Sequence, residues 1–211
     1  MFLFSKYLLT TSFIEWLIKW DKRLFLQINT QWTNSFLDSV FPLWRDQTTW
    51  YYLYYALLAF LIIKFRWKCW VWVLFAIITI SLTDIISSHL FKEWFDRLRP
   101  CREPELAGRV RLLLGSCPNG QSFTSSHAAN HFGMAVFFFL TLKQYFKKWA
   151  LLFFVWAASI SYAQIYVGVH YPLDVIGGTI TGCLIGWMTT SVFLKKIGMP
   201  KEYPLFSAKH K

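Results

Sequence analysis

Five stretches of this 211-residue chain are apolar over about the length of a bilayer crossing, and that length constrains everything else. A helix needs roughly 20 predominantly apolar residues to cross a hydrocarbon core. The stretches are residues 50–63, with room to extend at either end, 70–91, 126–142, 149–169 and 173–194. Twelve Trp and twenty-one Phe are also more than a soluble domain of this size would bury. The expected fold is therefore all-α, a polytopic membrane helix bundle of five transmembrane helices. It reads as one domain over residues 1–211, with an N-terminal region (1–48), a transmembrane core (49–194) and a basic tail (195–211). Gly177, Gly178, Gly182 and Gly186 in the last stretch allow close helix packing.

The N-terminal region is less apolar. In residues 1–22, Leu8, Leu9, Phe13, Trp16, Leu17 and Trp20 recur at roughly helical spacing with charges between them, which fits an interfacial amphipathic helix. Residues 23–48 mix apolar side chains with Asn29, Gln31, Asn34 and Asp38, and read as a membrane-surface or shallowly inserted helix. A sixth span is the alternative. Lys6, Glu15 and Lys19 interrupt the pattern of a signal peptide.

The net charge of +11 suggests nucleic acid only on a soluble scaffold. In a multispan protein, excess Lys and Arg marks cytoplasmic loops, so a nucleic-acid partner is set aside. Alternation of sides gives the same assignment in detail. The turns at 64–68 and 143–148 and the tail share one face and hold eleven Lys or Arg against Glu202 alone. The polar loop 92–124 lies on the other face and has six basic residues offset by four acids. That second face looks outward, which in a bacterium is the periplasm. The expected location is the bacterial inner membrane. Membrane lipids are the expected surroundings, and the oligomeric state is open.

Three polar clusters fall on this outward face. The first is Lys92–Pro100, in which Lys92 and Arg99 lie two helical turns apart near one face of a helix end, suited to clamping a dianion or to flanking headgroups. In the second, Ser122, Thr124, Ser125, Ser126 and His127 open an apolar helix. Its N-terminal N–H groups and dipole favour an anion, although plain capping explains the serines alone. His131, one turn on, suits packing or hydrogen bonding. The third is the hinge from Gln164 to Gly178, where His170 ends one helix and Pro172 favours the start of the next. Asp174 follows four residues after the histidine. A carboxylate beside an imidazole can hold one tautomer and leave the other nitrogen as nucleophile or base.

This set resembles the membrane-bound type 2 phosphatidic acid phosphatase family over roughly residues 50–194. The family's motifs read Lys-x6-Arg-Pro, Pro-Ser-Gly-His and Ser-Arg-x5-His-x3-Asp. The first is matched at Lys92, Arg99 and Pro100. The second is matched at Ser125 and His127, with Thr124 and Ser126 in place of Pro and Gly. The third is matched at His170 and Asp174, with Ala163 and Gln164 in place of Ser-Arg. The resemblance implies that His170 attacks phosphorus to form a phosphohistidine, oriented by Asp174. His127 protonates the leaving oxygen and then activates water. Lys92, Arg99, Gln164 and the amides near Ser125 and Ser126 hold the phosphate oxygens, and no metal or other cofactor is required. Gln164 lacks the charge of the family's arginine, a change worth about 2–4 kcal/mol of transition-state stabilisation. Arg97 or Arg102 is the expected compensation, and Gln164→Arg is expected to leave activity unchanged or raise it.

The implied activity is hydrolysis of a lipid phosphate, with undecaprenyl pyrophosphate as leading substrate. Lipid A, phosphatidic acid and phosphatidylglycerol phosphate are alternatives. A lipid phosphotransferase, or an impaired lipid-binding or transport protein, are the other classes. Asp84, in mid-span, is expected to face the bundle interior. Cys101 and Cys117 are expected to pair as a disulfide in an oxidising compartment, leaving Cys69 and Cys183 free.

Overall fold

The computed structural model describes residues 2–200, with side chains from Ser12 onward except Lys92 and Glu93. The elements are α1 (Phe2–Leu26), α2 (Ser35–Trp44), α3 (Tyr51–Phe65), α4 (Trp70–Ile85), α5 (Phe91–Trp94), α6 (Ser126–Phe146), α7 (Leu152–Tyr166) and α8 (Pro172–Lys196). No strand occurs among the described residues. The expected all-helical class is the observed one.

Three continuous helical stretches are long and apolar enough to cross a membrane: Gln47–Leu90, Ser126–Tyr166 and Pro172–Lys196. The first has 44 residues, which as a straight α-helix would reach ~66 Å, about twice a hydrocarbon core. Instead the chain turns at Arg66 (φ +51°), and the second stretch turns at Lys147 (φ +50°). A non-glycine residue in that region of φ interrupts the helical ladder.

Helix α6 is the centre, packed by α4, α7 and α8. The α6–α8 seam is held close by missing side chains. A Cβ added at Gly182 would lie 2.2 Å from the Ala129 carbonyl oxygen, and one at Gly186 would lie 2.4 Å from that of Gly133. Deeper in, Trp72 packs on Phe137 and Phe138 at 5.0 and 5.5 Å, and its indole N–H donates to Thr141 Oγ1 at 3.0 Å. Large apolar side chains point outward instead, including Leu74, Ile77, Ile180, Leu184 and Trp187. Such a surface is costly in water and is the one lipid contacts.

The N-terminal region forms a layer over the ends of α7 and α8 that meet at the hinge. Residues 23–48 do not form a single helix. α1 runs on to Leu26, a wide turn covers Gln27–Gln31, and Asn34 caps α2 by accepting from Leu37 N at 2.8 Å. Phe41 of α2 meets Tyr166 edge-on at 4.9 Å. On α1, Phe13 and Trp16 are exposed while Asp21 and Phe25 are fully buried, so a charged residue and an apolar one share the face toward the protein. The apolar spacing expected at Leu8 and Leu9 concerns side chains outside the described residues.

Candidate active site

The hinge between α7 and α8 is curled back on itself. The Gln164 carbonyl accepts from the amides of Val169 and His170 at 3.2 and 3.3 Å. Gly168 takes φ +93°, and a Cβ there would press to 2.7 Å from the Arg111 carbonyl, so only glycine fits. Pro172 then opens α8, and Asp174 Oδ2 accepts from the Tyr171 amide at 2.8 Å to cap it. The same Oδ2 accepts from Ser122 Oγ at 2.5 Å, and Oδ1 from Arg97 at 2.6 Å. His170 Nδ1 stands 3.5 Å from Oδ2, within ion-pair reach though longer than a good hydrogen bond.

On its other side His170 Nε2 is 3.0 Å from Arg99, which also donates to the carbonyls of Val169 and Gly120, each at 3.2 Å. A guanidinium has no acceptor. Nε2 must therefore accept, which leaves the ring proton on Nδ1, toward Asp174. The lone pair of Nε2 thus faces the Arg99 guanidinium. Burial pulls the Arg99 guanidinium down to about 10; Asp174 opposes the shift, and Arg45 and Arg102 add to it.

The second cluster joins at the start of α6. Ser125 caps the helix, its Oγ accepting from Ala128 N at 3.4 Å, while its own amide donates to the Asp174 carbonyl at 3.0 Å. That amide is therefore engaged with α8. The Ser126 hydroxyl pairs with Ser88 at 3.0 Å. His127 lines a cleft of about 340 Å³ with Tyr51, Tyr54, Asp84 and Asn130, and lies within electrostatic reach of His170, Arg45 and Arg99. His131 Nδ1 is 2.7 Å from the His127 carbonyl, and its ring packs on Trp156 at 4.9 Å. Both contacts match the packing role expected of it.

The structure thus brings Arg99, Ser125, His127, Gln164, His170 and Asp174 together. Lys92 lies on the backbone of α5, and its side chain is outside the described residues. The expected common helical face for Lys92 and Arg99 is not there, because α5 stops at Trp94 and Arg99 is extended, with φ −70° and ψ 151°. Asp84 is exposed on the cleft wall, not interior, and accepts from Asn130 at 3.2 Å. Neither arginine expected to compensate for Gln164 makes a hydrogen bond to it. Arg97 is held between Asp21 and Asp174, stacks 4.1 Å over the Tyr171 ring and has its pKa raised; burial opposes that rise, and the two carboxylates outweigh it. Arg102 donates to Asn119 at 2.6 Å. The side chain that meets Gln164 is Arg45, whose Nε donates to Oε1 at 3.0 Å.

Several of these supporting residues escaped sequence reading. Asp21 bridges Arg97 and the Leu173 amide. Asn29 donates to the Tyr166 and Arg111 carbonyls and accepts from the Arg111 amide. Their one signal is the mixing of polar residues into the N-terminal region, which by itself fits a membrane-surface helix. Cys101 and Cys117, 16 residues apart, are joined as a disulfide that ties down the loop; Cys69 and Cys183 are free.

Comparison with known proteins places this geometry. The model of the PAP2 superfamily matches residues 69–197, which include all three motifs. A lipid A 4'-phosphatase of Bacteroides thetaiotaomicron is 33% identical over 178 residues, covering 83% of this chain and 77% of its own. One of Porphyromonas gingivalis is 29% identical, covering 86% of this chain and 76% of its own. The crystal structure of Aquifex aeolicus LpxE superposes with a TM-score of 0.61 at 29% identity, over 80% of this chain and 93% of that one. The chain belongs to the PAP2 superfamily, as an integral-membrane phosphatase.

Proposed function

We propose that this protein removes a phosphate monoester from lipid A at the outward face of a bacterial inner membrane. The observation that carries the chemistry is the line Arg99–His170–Asp174, with Nε2 of the imidazole as acceptor and Nδ1 turned toward the carboxylate. His170 Nε2 attacks phosphorus, and Arg99 turns its hydrogen bond from Nε2 to the phosphate oxygens as the P–N bond forms. His127 gives its proton to the departing sugar oxygen as the P–O bond breaks. It then takes a proton from water, which displaces His170 and releases inorganic phosphate. Positioning and charge neutralisation supply most of what phosphoryl transfer needs. Lys92 and the amides that open α6 at Ser126 and His127 complete the anion site.

The undecaprenyl pyrophosphate reading gives way to lipid A. Two relatives carrying that activity in their names align over more than three-quarters of their own lengths. The cleft beside His127, with Asp84 and Asn130 on its wall, offers polar partners for a sugar headgroup.

Five crossings follow if each long helical stretch folds back at its turn, at Arg66 and at Lys147. The turns then carry Lys64, Arg66 and Lys68, and Lys143, Lys147 and Lys148, on the cytoplasmic side. The disulfide in loop 92–124 supports an oxidising compartment for the opposite side.

The test is phosphate release by the purified protein from bisphosphorylated lipid A, undecaprenyl pyrophosphate, phosphatidylglycerol phosphate and phosphatidic acid, with product masses recorded. Lipid A is expected to be the best substrate, and His170→Ala to lose about 10⁴-fold or more of the rate without a change in melting. A tenfold preference for undecaprenyl pyrophosphate would overturn the substrate. Phosphate transferred to an acceptor lipid, with none released, would overturn the hydrolysis.

A further inference from the structure

Arg45 follows the last residue of α2, outside the residues 69–197 that match the family model. An aromatic clasp fixes it. Trp44 Nε1 donates to Ser159 Oγ of α7 at 2.9 Å, Trp50 Nε1 donates to the Trp44 carbonyl at 2.7 Å, and Trp50 meets Trp156 edge-on at 5.7 Å. From there the Arg45 Nε reaches Gln164 Oε1. Gln164 is fully buried, and among the described residues its Nε2 has no hydrogen-bond partner. A buried amide N–H left without an acceptor is rare and calls for one.

The charges around this pair do not balance. Among the described residues no carboxylate lies within ion-pair distance of Arg45. The adjacent Asp46 uses its Oδ1 on Thr48, at 2.9 Å to the amide and 2.8 Å to the hydroxyl. Asp174, the acid of the site, is engaged by Arg97. Arg45 acts electrostatically on both Arg99 and His127, so two guanidiniums gather near the imidazoles, and the carboxylates that act on them, Asp46 and Asp174, are already engaged by Thr48 and Arg97. Like charges held in a poorly solvated site repel unless a counter-ion enters.

We propose that Arg45 and Gln164 form a further arm of the phosphate site, the Arg45 guanidinium and the Gln164 Nε2 amide both donating to oxygens of the substrate phosphate. The charge that the third motif lacks at Gln164 enters from α2 instead of α7. The Arg45–Gln164 bond holds the guanidinium in place for it. The substrate class rests on the phosphatase reading above; the anion site is tested without it. This arrangement also revises the expectation for Gln164→Arg alone, which would set a second guanidinium against Arg45 and is now expected to weaken anion binding.

The probe is inorganic orthovanadate, a phosphate mimic, titrated into the full-length protein in nanodiscs and followed by intrinsic fluorescence. Arg45→Gln is expected to weaken binding by about 10–100-fold, the value of one charge-assisted hydrogen bond. Arg45→Gln combined with Gln164→Arg moves the guanidinium to α7 and is expected to recover most of that loss. Wild-type affinity in Arg45→Gln, or a double variant no better than the single one, would overturn the proposal. Should Arg45→Gln fail to fold, Arg45→Lys carries the test: it keeps the charge without the Nε bond, a loss of about threefold or more supports the arm, and no loss overturns it. A wild-type protein that binds vanadate but releases phosphate from no lipid would sink the function reading, while the Arg45 series still decides on the arm.

Discussion

The α6–α8 seam and the polar layer at its hinge end are built from opposite materials. The seam works by omission: at Gly182 and Gly186 the backbones of two helices touch, with no room for one added carbon. The layer works by pairing. Arg97 joins Asp21 to Asp174, Asn29 holds the Tyr166 carbonyl, Asp38 accepts from Tyr166 Oη at 2.6 Å and pairs with Arg111 at 2.5 Å, and Arg45 holds Gln164. The seam sets how closely the helices carrying His127 and Asp174 approach. The layer sets which atoms meet there. The difference teaches that the two regions should fail differently, one through steric pressure and the other through charge left unpaired.

The largest effect is expected from Arg97→Met, which leaves the buried carboxylates of Asp21 and Asp174 facing each other without a cation. About 3–5 kcal/mol of stability should be lost, measured by chemical unfolding in detergent. Adding Asp21→Asn should return part of it. If Arg97→Met melts like the wild type, the layer is decoration and the contrast drawn above breaks.

Gly182→Ala sharpens the other side. Its methyl would overlap the Ala129 carbonyl, and about 1–3 kcal/mol should be lost as α6 and α8 part. Gly115→Ala, in the loop, meets nothing within 4 Å and should stay within about 0.5 kcal/mol of the wild type. Equal melting of these two variants would show that the seam is not sterically saturated. The smallest effect belongs to Asn34→Ala, which removes the cap of α2 for about 1 kcal/mol. Because α2 carries Arg45, this variant should weaken vanadate binding by more than its modest change in melting suggests.

Much of the molecule could be read along the chain. Apolar length gave the helices and the two basic turns, and the small residues of α8 marked the seam. Arg99, His127, His170 and Asp174 could be singled out because each sits in a short polar cluster beside an apolar run, a pattern with local causes in capping and helix termination. Asp21, Asn29 and Arg45 could not be singled out in the same way. Asp21 and Arg45 stand in polar runs (21–23 and 45–49) and Asn29 in a mixed stretch, and neither composition nor local periodicity distinguishes a side chain solvated by water from one paired within the fold.

What the sequence by itself determined was the set of elements that must leave water and the residue types gathered at one end of them. Tertiary structure alone decided the partners: Asp21 with Leu173, 152 residues apart, Asn29 with Tyr166, 137 apart, and Arg45 with Gln164, 119 apart. The physical reason is range. Helix formation and apolar length are properties of neighbours in the chain, whereas a buried charge or amide is satisfied by whichever group the packed helices bring to it.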